Sequence, residues 1–373
     1  MEYTYKEMEI MDSSISKMVG HLNKIISERG RIVVRYHCDA DGISSALLMY
    51  RMFRNFNVTA TFVQNNSAIY GMEDALRDIM YYDSGTHYIF LDFGNNLESM
   101  EGLNILKREA GSVAIIDHHL TEKKVNEKEV VVTPVYHGLG GEYTAGLVVY
   151  EIVRRIADVN YDELYKISLF GDKSILEFER NKKIEEIALV FDYIASTIKR
   201  DKHSIKFIDS LLEDEEFMHT IYLKAKDLID EFAEIGLEVC KRKKLENGIM
   251  FVTMNVEKVT DNSGNFPSKG KVTGKVHDII ESEINGPLIV LGYTNDAAMF
   301  RANRKAVLNG FNANDIIQQV KKEYDKFVES GGGHPGAAAI KYKKGFKKVI
   351  LNALSEKINN INNRWIKKWN LHS

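Results

Sequence analysis

The chain has 373 residues, 44% of them hydrophobic and 28% charged, enough for two or more domains with sizeable cores. Its formal net charge of −3 gives no global basic field, which counts against binding duplex DNA by charge alone. No stretch approaches the roughly 18–20 apolar residues of a membrane span, Met1–Ile10 has no signal-peptide pattern, and Cys38 and Cys240 form neither a disulfide framework nor a zinc ribbon.

A cytoplasmic protein without a membrane partner is therefore expected. Asp12-Ser13-Ser14 cap a helix to about Glu28, punctuated by Gly30. Arg31–Tyr36 reads as a β-branched strand, followed by the loop His37–Gly42 and a helix from about Ile43 to Phe53. A strand near Val58–Gln64 precedes a helix over Met72–Tyr81. Tyr88–Leu91 is a third strand, ending at Asp92, and a helix near Leu97–Arg108 leads to a fourth, Ser112–Ile116, ending at Asp117-His118-His119. Val130–Val135 adds another. This alternation predicts an α/β fold, a doubly wound and mainly parallel sheet, over residues 1–174.

From Tyr143 the pattern turns helical, with Thr144 as a cap and a break at Phe170-Gly171-Asp172. The charged stretch 175–245 reads as an all-helical connector, with Lys241–Lys244 on a solvated helix face. Residues 246–373 read as a second, smaller α/β domain, with strands at Ile249–Met254, Leu288–Tyr293 and Ala298–Arg304. A glycine-rich loop, Gly331–Gly336, precedes a strand to Tyr342, and a basic helix carrying Trp365 and Trp369 ends the chain.

The chemistry-bearing residues lie just beyond the predicted strands: His37, Asp39 and Asp41 after the first, Asp92 after the third, Asp117, His118 and His119 after the fourth. In an open parallel sheet the carboxyl ends of the strands share one edge, where ligands bind. Carboxylates crowded into a low-dielectric crevice repel one another by roughly several kcal/mol, so a divalent cation is the natural counterpart. Asp/His ligation without thiolate suits Mn²⁺, or else Mg²⁺.

Together these residues resemble a known family. The His37–Gly42 run, Asp92 in Leu-Asp-Phe-Gly and the Asp117-His118-His119 triplet look like the first three motifs of the DHH phosphoesterases, and Gly171-Asp172 resembles the fourth. The run Gly331–Ala338 is similar to the GGGHxxAA signature of the associated C-terminal domain. The resemblance implies two metals, one on His37, Asp39 and Asp92, the other on Asp41, Asp92, His118 and Asp172, with Asp92 bridging. It implies that His119 contacts the scissile phosphate, that Asp117 orients the histidines, and that water is the nucleophile. Gly331, Gly332, Gly333 and His334 would bind substrate, as would Arg301 and Arg304; Ala302-Asn303-Arg304 departs from the family's Ser-x-Arg element.

Within that family, the GGGH run argues against a pyrophosphatase. The added helical stretch favours a RecJ-like exonuclease on single-stranded DNA or RNA over a nanoRNase or cyclic-dinucleotide phosphodiesterase. Some relatives lack metal ligands and act as replisome scaffolds; here every ligand position is filled, and binding to replication proteins of the GINS type would be compatible with activity.

Overall fold

The computed structural model describes residues 8–119, 129–157, 161–174, 176, 178–197, 204–246, 248–260 and 266–369, and the side chains of Trp365 and Trp369 lie outside the described set. The chain divides into two units, Met1–Leu223 and Lys224–Ser373.

Short β-branched runs build the first sheet: β1 (Ile32–His37), β2 (Ala60–Asn65), β3 (His87–Leu91), β4 (Ser112–Ile116) and β5 (Glu129–Val132). All pair in parallel, in the order β2-β1-β3-β4-β5. Alternate residues serve opposite faces, as the pleat requires. Val34, Tyr36, Ile89, Leu91, Ala114 and Ile116 join the core formed with α1 (Asp12–Glu28), α2 (Ala40–Asn55), α5 (Ala145–Ile156) and α6 (Asp162–Gly171). Val33, Tyr88, Phe90, Val113 and Ile115 pack on the other side with residues of α3 (Met72–Tyr81) and α4 (Met100–Leu106). Both faces are covered, so the sheet is doubly wound. Within the 175–245 stretch, α7 (Lys182–Thr197) and α8 (Ile205–Leu211) send Ile184, Ile187, Phe191, Ile194 and Ile208 into the first of these cores.

The second unit is built on a six-stranded mixed sheet, ordered β10-β11-β9-β8-β7-β6. Its strands are β6 (Lys241–Lys244), β7 (Met250–Asn255), β8 (Leu288–Tyr293), β9 (Ala297–Ala302), β10 (Val328–His334) and β11 (Ala337–Tyr342). One face, with Ile289, Phe300, Ile340 and Tyr342, packs with residues of α12 (Ala313–Glu323) and α13 (Lys347–Trp369). On the other, Val252, Met254, Val290 and Met299 pack with the C-terminal part of α9 (Glu215–Val239) and with Val272, Val276 and Ile280 of α10 (Lys269–Glu283).

Several elements differ from the sequence reading, among them a lysine-rich segment and the start of the helix after β1. Lys241–Lys244 form an edge strand, not a helix face, and all four are exposed. Lysines suit an open sheet edge because desolvating them opposes pairing with another chain. The helix after β1 opens at Ala40, not Ile43, because Asp39 caps it: its Oδ1 accepts the Gly42 N–H at 2.9 Å. Gly42 is required there, since a Cβ would sit 2.2 Å from the His37 carbonyl oxygen.

β1 is anchored from behind by a buried ion pair. The guanidinium of Arg35, two residues before His37, donates its Nε–H to Asp78 Oδ2 at 2.6 Å, and the Tyr70 hydroxyl donates to the same oxygen at 2.7 Å. Arg35 is 3% exposed and Asp78 1%, so an Asp78→Ala variant strands a buried guanidinium. We expect it to lose about 3–5 kcal/mol of stability, read as a lower denaturant midpoint; an unchanged midpoint would contradict the anchoring role.

Candidate metal centre

The strand order 2-1-3-4-5 reverses direction between β1 and β3, and the crevice outside the carboxyl ends of such strands is where doubly wound sheets bind ligands. His37 ends β1, Asp39 and Asp41 follow it, and Asp92 follows β3 directly. Asp92 has φ +65, a left-handed conformation that aspartate tolerates better than most residues, and its N–H donates to the Ile116 carbonyl of β4 at 2.8 Å. The turn leaves its carboxylate 1% exposed among the histidines.

The six expected ligands are brought together in two sets. His37 Nδ1 lies 2.7 Å from Asp39 Oδ2 and 3.4 Å from Asp92 Oδ2. His118 Nε2 lies 3.4 Å from Asp41 Oδ2, 3.3 Å from Asp92 Oδ1 and 3.1 Å from Asp172 Oδ2. Asp92 faces both sets, one oxygen to each. Ligand atoms of His37, Asp39 and Asp92 lie within 4.8 Å of one another, as do those of Asp92, His118 and His119. His37 Nδ1 and Asp92 Oδ1 are buried yet make no hydrogen bond. Buried polar atoms are normally satisfied, and a cation at each set would supply the missing partners. The donor set thus fits two hard or borderline divalent ions.

The electrostatics of the bare site point the same way. Burial, reinforced by Asp92 and Asp172, pushes the Asp41 carboxyl well up, and burial with Asp39 raises Asp92. Burial opposes a charged Asp39, but His37 and the Gly42 N–H hold it below the usual carboxylate range. For His37 and His118 burial opposes the imidazolium, yet Asp39 for one and Asp172 with Asp92 for the other carry both well above 6.5. Positive charge is therefore favoured beside these carboxylates.

His119 lies beside these sets, its Nδ1 3.7 Å from Asp92 Oδ1, but its hydrogen bonds go to a further acid. Its Nδ1–H donates to Asp117 Oδ1 at 2.8 Å, and its backbone N–H reaches the same oxygen at 3.1 Å. Asp117 Oδ2 accepts the Asn95 N–H at 2.9 Å. Despite burial, Asp117 is held down to about 2, chiefly by His119, and His119 is raised by Asp117 against its own desolvation. The His119 side chain remains 37% exposed, where His118 is fully buried.

Several supporting groups escaped the sequence reading. Ala145 and Gly146, at the N-terminus of α5, donate their N–H groups to Asp41 Oδ2 and Oδ1 at 2.9 and 2.7 Å. A Cβ on Gly146 would meet Ser168 Cβ at 2.5 Å, so this approach needs glycine. His118 Nδ1–H donates to the Gly141 carbonyl at 2.6 Å, which fixes the tautomer and makes Nε2 the candidate ligand atom. Asp192 of α7 accepts the Ala40 N–H at 3.0 Å and steadies the first turn of α2, which carries Asp41. Thr144 caps α5, as expected, by accepting from the Leu147 N–H.

In the second unit the glycine run is not a loop. Gly331, Gly332, Gly333 and His334 belong to β10, paired antiparallel with β11, and Pro335-Gly336 make the turn. Packing overrides the poor strand propensity of glycine: a Cβ on Gly331 would meet Ile317 at 2.8 Å, and Gly333 has φ +141. Arg301 lies on β9, but Arg304 opens α11 (Arg304–Leu308) instead of extending the strand. Asn303 causes the break, its Oδ1 accepting the N–H groups of Ala306 at 2.9 Å and Leu288 at 3.0 Å. Ala337 pairs with Arg301 on one side and with His334 on the other, so these three residues share a sheet face.

Comparison with known proteins agrees with this architecture. An uncharacterized protein of Methanocaldococcus jannaschii is 24% identical over 95% of this chain, and the chain spans about half of that relative, 55% of its length. The DHH domain of a member of the S1p family of ribosomal proteins has a similar fold, with a TM-score of 0.84 at 24% identity over 95% of this chain and 92% of that one. RecJ of Thermus thermophilus, solved with Mn²⁺, gives a TM-score of 0.60 at 13% identity over 92% of this chain and 54% of its own. Residues 31–177 match the DHH family N-terminal domain, and residues 257–360 match the DHHA1 domain. The chain therefore carries a DHH family N-terminal domain over residues 31–177, followed by a DHHA1 domain over residues 257–360.

Proposed function

We propose that the protein is a metal-dependent phosphodiesterase that shortens single-stranded DNA or RNA from an end, with two divalent cations, preferably Mn²⁺. The observation that carries this reading is the pair of ligand sets sharing Asp92: His37, Asp39 and Asp92 would hold one ion, and Asp41, Asp92, His118 and Asp172 the other. Bound there, the ions would neutralise phosphoryl charge and activate water. The similarity in fold to RecJ, itself solved with Mn²⁺, supports the assignment.

His119 would donate a hydrogen bond to the phosphoryl oxygen on which charge develops, since Asp117 takes its Nδ1–H and keeps the imidazolium favoured. The second unit would grip the strand through Arg301, Arg304 and His334. Gly331, Gly332 and Gly333, on a strand with one free edge, let a phosphate approach the backbone.

End-labelled single strands should be shortened stepwise with Mn²⁺ and left intact in EDTA. Asp92→Asn should lower the rate at least about 10³-fold and Asp117→Asn about 10–100-fold. Activity restricted to the shortest oligomers would reassign the substrate to the nanoRNase class, and no metal-dependent cleavage of any oligomer would reject the reading.

Mn²⁺ must displace protons from His37 and His118, whose affinity for protons is raised in the bare site. Metal affinity should therefore be weak in acid and climb as pH rises past 6.5, by up to about tenfold per pH unit for each proton displaced. Calorimetric titration with Mn²⁺ at several pH values tests this; affinity independent of pH would contradict the ligand roles of the two histidines.

A further inference from the structure

Charge is divided unevenly along the chain. From Lys224 onward 25 Lys and Arg stand against 17 Asp and Glu, a formal +8, whereas the preceding residues carry 25 against 36, a formal −11. The near-neutral total conceals a basic second unit.

Part of that charge converges on one groove. A cavity of about 510 Å³ lies among Lys269 at the start of α10, Asp296 in the β8–β9 turn, and Lys344, Lys347 and Lys348 where β11 passes into α13, with Glu257 beside them. Its acids are already engaged: Glu257 Oε2 accepts the Asn295 N–H at 3.0 Å, and Asp296 Oδ1 accepts the Thr294 hydroxyl at 2.9 Å. Lys347 donates to Asn295 Oδ1 at 2.7 Å. Among the described residues, the ammonium groups of Lys269, Lys344 and Lys348 have no ion pair or hydrogen-bond acceptor. Surface lysines are commonly paired or dispersed; here three unpaired ones from two separate elements face one concavity.

We infer that this groove is a second substrate-binding site, which holds the sugar–phosphate backbone of a single strand. The inference rests on the single-strand reading above and adds the surface that makes a long strand a better ligand than a short one. Lysine suits the task, being a flexible point charge that follows phosphates without reading bases. No aromatic residue is among those lining the groove, so the grip is on the backbone and not on stacked bases. A Cβ on Gly270, the residue after Lys269, would stand 3.4 Å from Arg301 Nη2, so the start of α10 lies beside the arginine of β9.

The test uses the full chain in EDTA, where binding is separated from cleavage. A labelled single strand of about 20 nucleotides, longer than the roughly 4–16 that one single-strand module covers, is titrated by fluorescence anisotropy at several salt concentrations. The variant K269E/K344E/K348E should bind it at least about tenfold more weakly, and the log–log salt slope should fall by about 2, three contacts at about 0.7 each. The neutral set K269Q/K344Q/K348Q, with an unchanged thermal melt, should show the same direction of change. Mn²⁺-dependent hydrolysis of a dinucleotide should stay unaltered in both. Unchanged affinity and slope would overturn the inference, as would an equal loss of dinucleotide hydrolysis or failure of the wild-type chain to bind the strand. Wild-type binding without any hydrolysis would reject the proposed activity and leave the groove standing.

Discussion

The rest of the first unit is arranged around a single electrostatic problem. Asp92 is buried, held in a left-handed turn at the end of β3, and set between two histidines that each face further carboxylates. A carboxylate in that position is costly unless positive charge reaches it. Nearby acids favour the charged form of His37 and His118 against their burial, and Asp41 is tied to the backbone N–H groups of Ala145 and Gly146. These contacts fix the carboxylates and imidazoles of the crevice relative to one another.

Around that crevice the fold supplies rigidity in layers. The parallel sheet aims three strand ends at one edge, Arg35 and Asp78 lock β1 from the opposite face, and Asp192 reaches in from α7 to hold the Ala40 N–H. His119 is tied to Asp117 and keeps a ring more open to solvent than that of His118, while its Nδ1 also lies 3.7 Å from Asp92 Oδ1.

The parallel sheet and the clustering of Asp and His at its edge were legible because hydrophobic runs ending in Asp or His are local in sequence. The supports were not. Ala145, Gly146 and Gly141 act through backbone atoms, which have no side-chain signature, and Asp192 comes from a helix far along the chain. The glycine run misled for the opposite reason: propensity describes glycine in isolation, whereas Ile317 and the hairpin partner leave no room for a Cβ at Gly331 and Gly333. Arg304 left the strand because Asn303 is a strong helix cap, and Lys241–Lys244 resembled a helix face because charge alone does not distinguish an edge strand from one. The net charge was equally uninformative until the two units were counted apart.

The central claim is that two cations share Asp92, and the most direct measurement is diffraction at the manganese edge from crystals grown with Mn²⁺. Two anomalous peaks per chain are predicted, one within ligand distance of His37, Asp39 and Asp92, the other of Asp41, Asp92, His118 and Asp172, with both weakened in Asp92→Asn. A single peak, peaks outside this crevice, or two peaks indifferent to the substitution would contradict it.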